Sequence, residues 1–133
     1  GLYLHDNPCA GISVDLSFNH NIITNAVLVA NDLGIFMRAS RDNQFFNVVI
    51  RNSHHFGVFM AQTAIQTADG WKLVPQTECT DNFFTNLHAA QCGSAAFRVN
   101  DVSCVNNVII RPVFDGNLKG GISVASPNLV TVE

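Results

Sequence analysis

The sequence predicts an all-β fold, a right-handed parallel β-helix of about four to five coils with three short strands per coil, filling residues 1–133 as one domain. Three observations predict it. An asparagine pair spaced by four residues recurs, a small residue follows each pair at a near-constant distance, and an alternating apolar strand follows each small residue. Repeats of this size mark a solenoid, in which no unit can bury its own apolar face and neighbours stack to share a core.

The pairs are Asn21 and Asn25, Asn43 and Asn47, Asn82 and Asn86; a fourth copy starts at Asn107 with Arg111 in the second slot, and a fifth at Asn128. The small residues are Gly34, Gly57, Ala96 and Gly121, thirteen places after Asn21 and fourteen after each of the other three. Each is followed by a period-two strand whose inward members are Ile35 and Met37, Val58 and Met60, Phe97 and Val99, Ile122 and Val124. Leu2 and Leu4 after Gly1 read as the start of the same series.

Two more apolar columns complete the coil. Ile23, Phe45, Phe84 and Ile109 follow the first asparagine by two places, and Leu28, Ile50, Ala89 and Phe114 follow it by seven. Three columns imply three strands. Val, Ile, Phe, Thr and Asn dominate, Gly interrupts, and no i, i+3, i+4 stripe persists, which excludes an α-solenoid. Asparagine tolerates the left-handed conformation of a tight corner, and its amide can bond to the asparagine of the next coil, roughly 4.8 Å away. Irregular leucine spacing argues against a leucine-rich repeat, and the constant unit argues against an antiparallel sandwich.

Composition narrows the function classes. Only 13% of residues are charged and the net charge is −3, so the basic surplus that phosphate backbones require is missing and nucleic acid is not an expected partner. No apolar run approaches the roughly 18 to 20 residues of a membrane span. Four cysteines, few lysines and abundant Asn, Ser and Thr suit a secreted or cell-surface protein. Opening at Gly1 inside a strand reads as a processed product or part of a longer polypeptide.

Length variation falls after the small-residue strand, which predicts two long loops on one edge, residues 6–20 and residues 62–81, the second carrying Trp71 and Lys72. Between them the outward positions of that sheet read Tyr3 and His5, Phe36 and Arg38, Phe59 and Ala61, Arg98 and Asn100, Ser123 and Ala125. Sugar rings stack on aromatic faces and uronate carboxylates pair with arginine, so this row suits an acidic polysaccharide.

The asparagine-cornered repeat resembles the right-handed parallel β-helices of the pectate-lyase-like superfamily over nearly the whole chain. That resemblance implies a polymer bound along this sheet and β-elimination, epimerisation or hydrolysis. In such a scheme Arg38 or Arg98 neutralises the carboxylate, His5 abstracts the sugar proton and Tyr3 protonates the opposite side or the leaving oxygen. Phe36, Phe59, Trp71, Lys72, Arg98 and Asn100 are the expected substrate contacts. The clustered aspartates of pectate-lyase calcium sites, the paired aspartates of polygalacturonases and the Asp-Pro-His-Asp signature of mannuronan epimerases are absent.

Cys79 and Cys104 each lie three places before the first asparagine of a coil, so they share a column at disulfide range, about 5 Å between Cα atoms. A disulfide is expected there, although two stacked thiols satisfy the same spacing. Cys9 and Cys92 share no column. No histidine or cysteine spacing matches a zinc site, and no cofactor is implied. A structural role is the alternative to carbohydrate work: a β-helix with open strand edges can stack end to end or form part of a filament, adhesin or surface fibre.

Overall fold

The structure, a computed structural model, describes residues 1–127 and 129–133. The first coil holds β1 (Leu2–His5) and β2 (Ala10–Val14), the second β3 (Ile22–Val29) and β4 (Leu33–Met37), and the third β5 (Gln44–Arg51) and β6 (Val58–Met60). A hairpin of β7 (Ala64–Thr67) and β8 (Gly70–Leu73) projects next. The fourth coil holds β9 (Phe83–Thr85), β10 (His88–Ala90) and β11 (Phe97–Val99), and the fifth β12 (Asn107–Ile110), β13 (Val113–Asp115) and β14 (Ile122–Val124). β15 (Val130–Val132) begins a sixth. All pairings are parallel except that of the hairpin, and the strands stack as a β-solenoid of about five turns. In the second and third coils two of the three strands run through their shared corner as one eight-residue strand.

The three apolar columns face one core. Ile23, Phe45, Phe84 and Ile109 stand in register, the last three at most 1% exposed. The Phe45 and Phe84 rings stack 4.6 Å apart and nearly parallel, and Phe97 meets Phe84 edge-on at 5.0 Å. Leu4, Leu28, Ile50, Ala89 and Phe114 form the second wall. Ile12, Ile35, Val58, Phe97 and Ile122 form the third.

The predicted asparagines are the corners. Asn43, Asn82 and Asn107 are fully buried, and each carboxamide oxygen accepts from the backbone N–H and the side-chain amide of the asparagine one coil earlier, at 3.0–3.3 Å. Their own Nδ2 groups donate to the carbonyls of Phe18, Ser40 and Cys79. At the next corner Asn25, Asn47 and Asn86 take left-handed φ of 57°, 54° and 56°, and their exposed amides form a second ladder. The small-residue column is a matter of space: a Cβ on Gly57 would stand 2.4 Å from the Ala96 carbonyl, and one on Gly34 2.6 Å from an Ile50 methyl.

Several expectations are corrected. β1 belongs to the eight-stranded sheet, with Tyr3 opposite Val27 and His5 opposite Val29, and not to the five-stranded sheet of β2, β4, β6, β11 and β14. The first-coil member of that sheet is β2, with Gly11 in the small-residue column beside Gly34 and Ser13 opposite Phe36. Period two is common to every strand of a coil, so Gly1-Leu2-Leu4 fitted two columns equally. What sets the phase is Asn7, whose backbone and side-chain N–H groups donate to Asn31 Oδ1 at 3.0 and 2.8 Å. Residues 6–20 are therefore largely coil rather than a long loop. Residues 62–81 do depart from the coil, but as the β7–β8 hairpin. Cys79 and Cys104 share a buried column as expected, yet both are free thiols, with Cys79 N–H donating to Cys104 Sγ at 3.4 Å. Asn128, the expected fifth repeat start, lies outside the described residues.

Candidate functional site

Alternation along a strand sends every second side chain outward, and on the five-stranded sheet this builds a row across the coils. Ser13, Phe36, Phe59, Arg98 and Ser123 stand in register, with Asp15, Arg38, Ala61, Asn100 and Ala125 two places further along each strand. Phe36 and Phe59 are half-buried and stack, centroids 6.0 Å apart and planes within 18°, with Phe56 tilted against Phe59 at 5.3 Å. Two aromatic faces on adjacent coils make a flat apolar step in an otherwise polar surface.

The two arginines on this face differ. Arg38 is ion-paired with Asp15, with Nε and Nη2 both donating to Oδ2, and its guanidinium lies over the Phe36 ring, 5.0 Å from the centroid. Its charge is already met. Arg98 donates to the Ser123 hydroxyl at 2.7 Å and to Asn100 Oδ1 at 3.4 Å. Both partners are neutral, so the guanidinium is held in place with its charge unspent, one coil from Phe59. Asp15 and Ser13, which the misplaced first coil hid from sequence reasoning, belong to this face.

Tyr3 and His5 do not. They lie on the eight-stranded sheet, their rings 5.0 Å apart, with His5 Nδ1 2.6 Å from Asp6 Oδ2 and both side chains largely exposed. The structure thus separates them from Arg38. Trp71 projects from the hairpin at 70% exposure on the face it shares with Leu73, while Lys72 lies on the opposite face, 3.6 Å from Asp69. Trp71 does not cover Phe36 or Phe59, whose aromatic neighbours are each other and Phe56.

Cys79, Cys92 and Cys104 are buried in the core. Hydrogen bonding between Cys79 and Cys104 pushes the Cys79 thiol up and pulls Cys104 down. Burial raises the Cys92 thiol as well. Among the described residues no group of three or more His, Cys, Asp or Glu side chains could hold a metal ion, and no helix is long and apolar enough to cross a membrane.

The chain matches no protein family model, no curated protein and no solved structure. The parallel β-solenoid is shown by the structure itself, and membership of the pectate-lyase-like superfamily has no support from these comparisons.

Proposed function

We propose that this chain is a carbohydrate-binding β-solenoid, of the secreted or cell-surface kind its composition suggests, which takes an acidic polysaccharide across the outer face of the five-stranded sheet. One observation carries the reading: the Phe36–Phe59 stack lies beside Arg98, whose guanidinium has only neutral partners. The rings offer the platform on which a pyranose face stacks, and Arg98 offers paired N–H donors to a uronate carboxylate. Binding without chemistry is favoured over lyase or epimerase action, because Arg38 is neutralised by Asp15 while Tyr3 and His5 lie on another sheet.

Calorimetric titration with hexamers of galacturonate and mannuronate tests it. Arg98→Ala and Phe59→Ala should each weaken binding about tenfold, the equivalent of about 1.4 kcal/mol, and affinity should fall as salt screens the exposed guanidinium. Failure of every uronan to bind, or binding indifferent to both substitutions, removes the reading. Ultraviolet absorbance from unsaturated products in the same mixtures would reinstate a lyase.

A second reading, a structural module of a filament, adhesin or surface fibre, has its own observation. The outer row of the eight-stranded sheet carries Ile22 at 67% and Phe83 at 41% exposure, in register across Gln44. Two large apolar side chains left in water on one row, on either side of Gln44, are candidates for a contact with another chain, and concentration-dependent sedimentation would favour this reading over the first.

A further inference from the structure

A cleft of about 430 Å³ lies at the edge where the chain leaves the five-stranded sheet. Ser17 and Asn19 line it from the first coil, Ala39 and Arg41 from the second, and Gln76, Glu78 and Thr80 from the segment that returns after the hairpin. Its backbone is unusual. Each coil turns three corners, and one residue at each takes positive φ: His20, Asp42, Asp81 and Asn106 at the first, Asn25, Asn47, Asn86 and Arg111 at the second, Asp6, Ala30, Asn52 and Gln91 at the third. Outside these columns only four described non-glycine residues do so: Leu16 at 54°, Ser17 at 67°, Ala39 at 46° and Gln76 at 62°. Three of the four line the cleft and Leu16 adjoins it. Ser17 N–H donates to the Ala39 carbonyl and Ala39 N–H to the Thr77 carbonyl, so these left-handed turns stack coil on coil and form an ordered wall of the cleft.

The lining is polar and holds no aromatic ring. Among the described residues the Ser17 and Thr80 hydroxyls and the Gln76 and Arg41 side chains make no hydrogen bond within the protein, and Arg41 N–H holds Asn19 through its Oδ1. The Glu78 carboxylate is reached only by long bonds of 3.3 Å from Gln62 and from the Gln76 N–H. Glu78 within the cleft and Asp42, 3.9 Å from Arg41, offset the one cation.

We infer that this cleft is a subsite for a neutral, hydroxyl-rich sugar residue, whose vicinal hydroxyls donate to Glu78 and accept from Arg41, Asn19 and Gln76. The inference rests on the saccharide reading of the face, since the cleft opens just beyond Asp15 and Arg38 and a polymer crossing the sheet reaches it next.

Amide chemical shifts of the ¹⁵N-labelled 133-residue chain, titrated with hexamers of glucose, mannose and galacturonate, test it. A neutral hexamer should shift Ser17, Ala39, Gln76 and Thr80. Glu78→Gln and Gln76→Gly should weaken that response at least tenfold, while Gln76→Gly, which relieves a left-handed residue, leaves the melting temperature equal or higher. Shifts confined to Phe36, Phe59 and Arg98 would overturn the cleft and leave the face reading intact. Shifts confined to the cleft would support it and remove the face. Silence from all three hexamers, or a cleft response stronger with galacturonate, overturns the inference.

Discussion

Left-handed backbone is the recurrent demand this fold makes on single residues, and after glycine asparagine meets it at low cost because its short amide bonds locally. Arg111 occupies that position in the fifth coil with φ of 50°, where the earlier coils place Asn25, Asn47 and Asn86. Arg111→Asn should therefore relieve strain and let a carboxamide reach Asn86, stabilising the chain by about 1 kcal/mol and raising the melting temperature by about 3–5 °C in a thermal scan. An unchanged or lower melting temperature would show that the arginine makes contacts worth more than the corner. Corner positions of this kind were legible in the sequence because each tolerates few residue types. The column of Asn7, Asn31, Ser53, Cys92 and Asn117 was not, since its middle members are not asparagine. Its end pairs still bond as the other ladder does, with Asn31 Oδ1 accepting from Asn7 and Asn117 Oδ1 from the Cys92 N–H. The spacing of Asn7, Asn31 and Asn117 from the neighbouring apolar columns was the signal that could have found it.

At the scale of an element, the buried asparagine ladder joins successive coils side chain to side chain. Asn82 spans three of them: its Oδ1 accepts twice from Asn43, and its Nδ2 donates to Asn107 and to the Ser40 carbonyl. Asn82→Ala leaves buried donors and an acceptor unpaired, which should cost about 3 kcal/mol in denaturant unfolding. Asn86→Ala, in the exposed ladder, should cost about 1 kcal/mol, much of it from the left-handed corner. Equal losses would mean that burial does not decide the ladder's contribution. The sequence showed where the chain leaves the coil but not what it makes there. Between Asn43 and Asn82 the ladder spacing is 39 residues, against 22 and 25 for its neighbours. The hairpin within that excess answers to its own turn at Gly70, φ 106°, and to no column. The first coil was misassigned for a related reason, because at a chain end only one side of a column exists to set the phase.

For the whole molecule, stacking converts a sequence period into continuous outer rows, and the function proposed here belongs to one of those rows. Arg38, Phe36, Phe59 and Arg98 were legible as neighbours because they follow the small-residue column by fixed steps. The charge state of the row was not, since Asp15 reaches Arg38 only once β2 is placed beside β4. The resulting face has one neutralised arginine, two stacked rings and one arginine open to an anion. The most direct test is a crystal structure of the chain with a uronate hexamer. The account predicts a sugar ring stacked on Phe36 or Phe59 with a carboxylate within hydrogen-bond distance of the Arg98 guanidinium. A hexamer bound against Tyr3 and His5, or anywhere that leaves Phe36, Phe59 and Arg98 untouched, would contradict it.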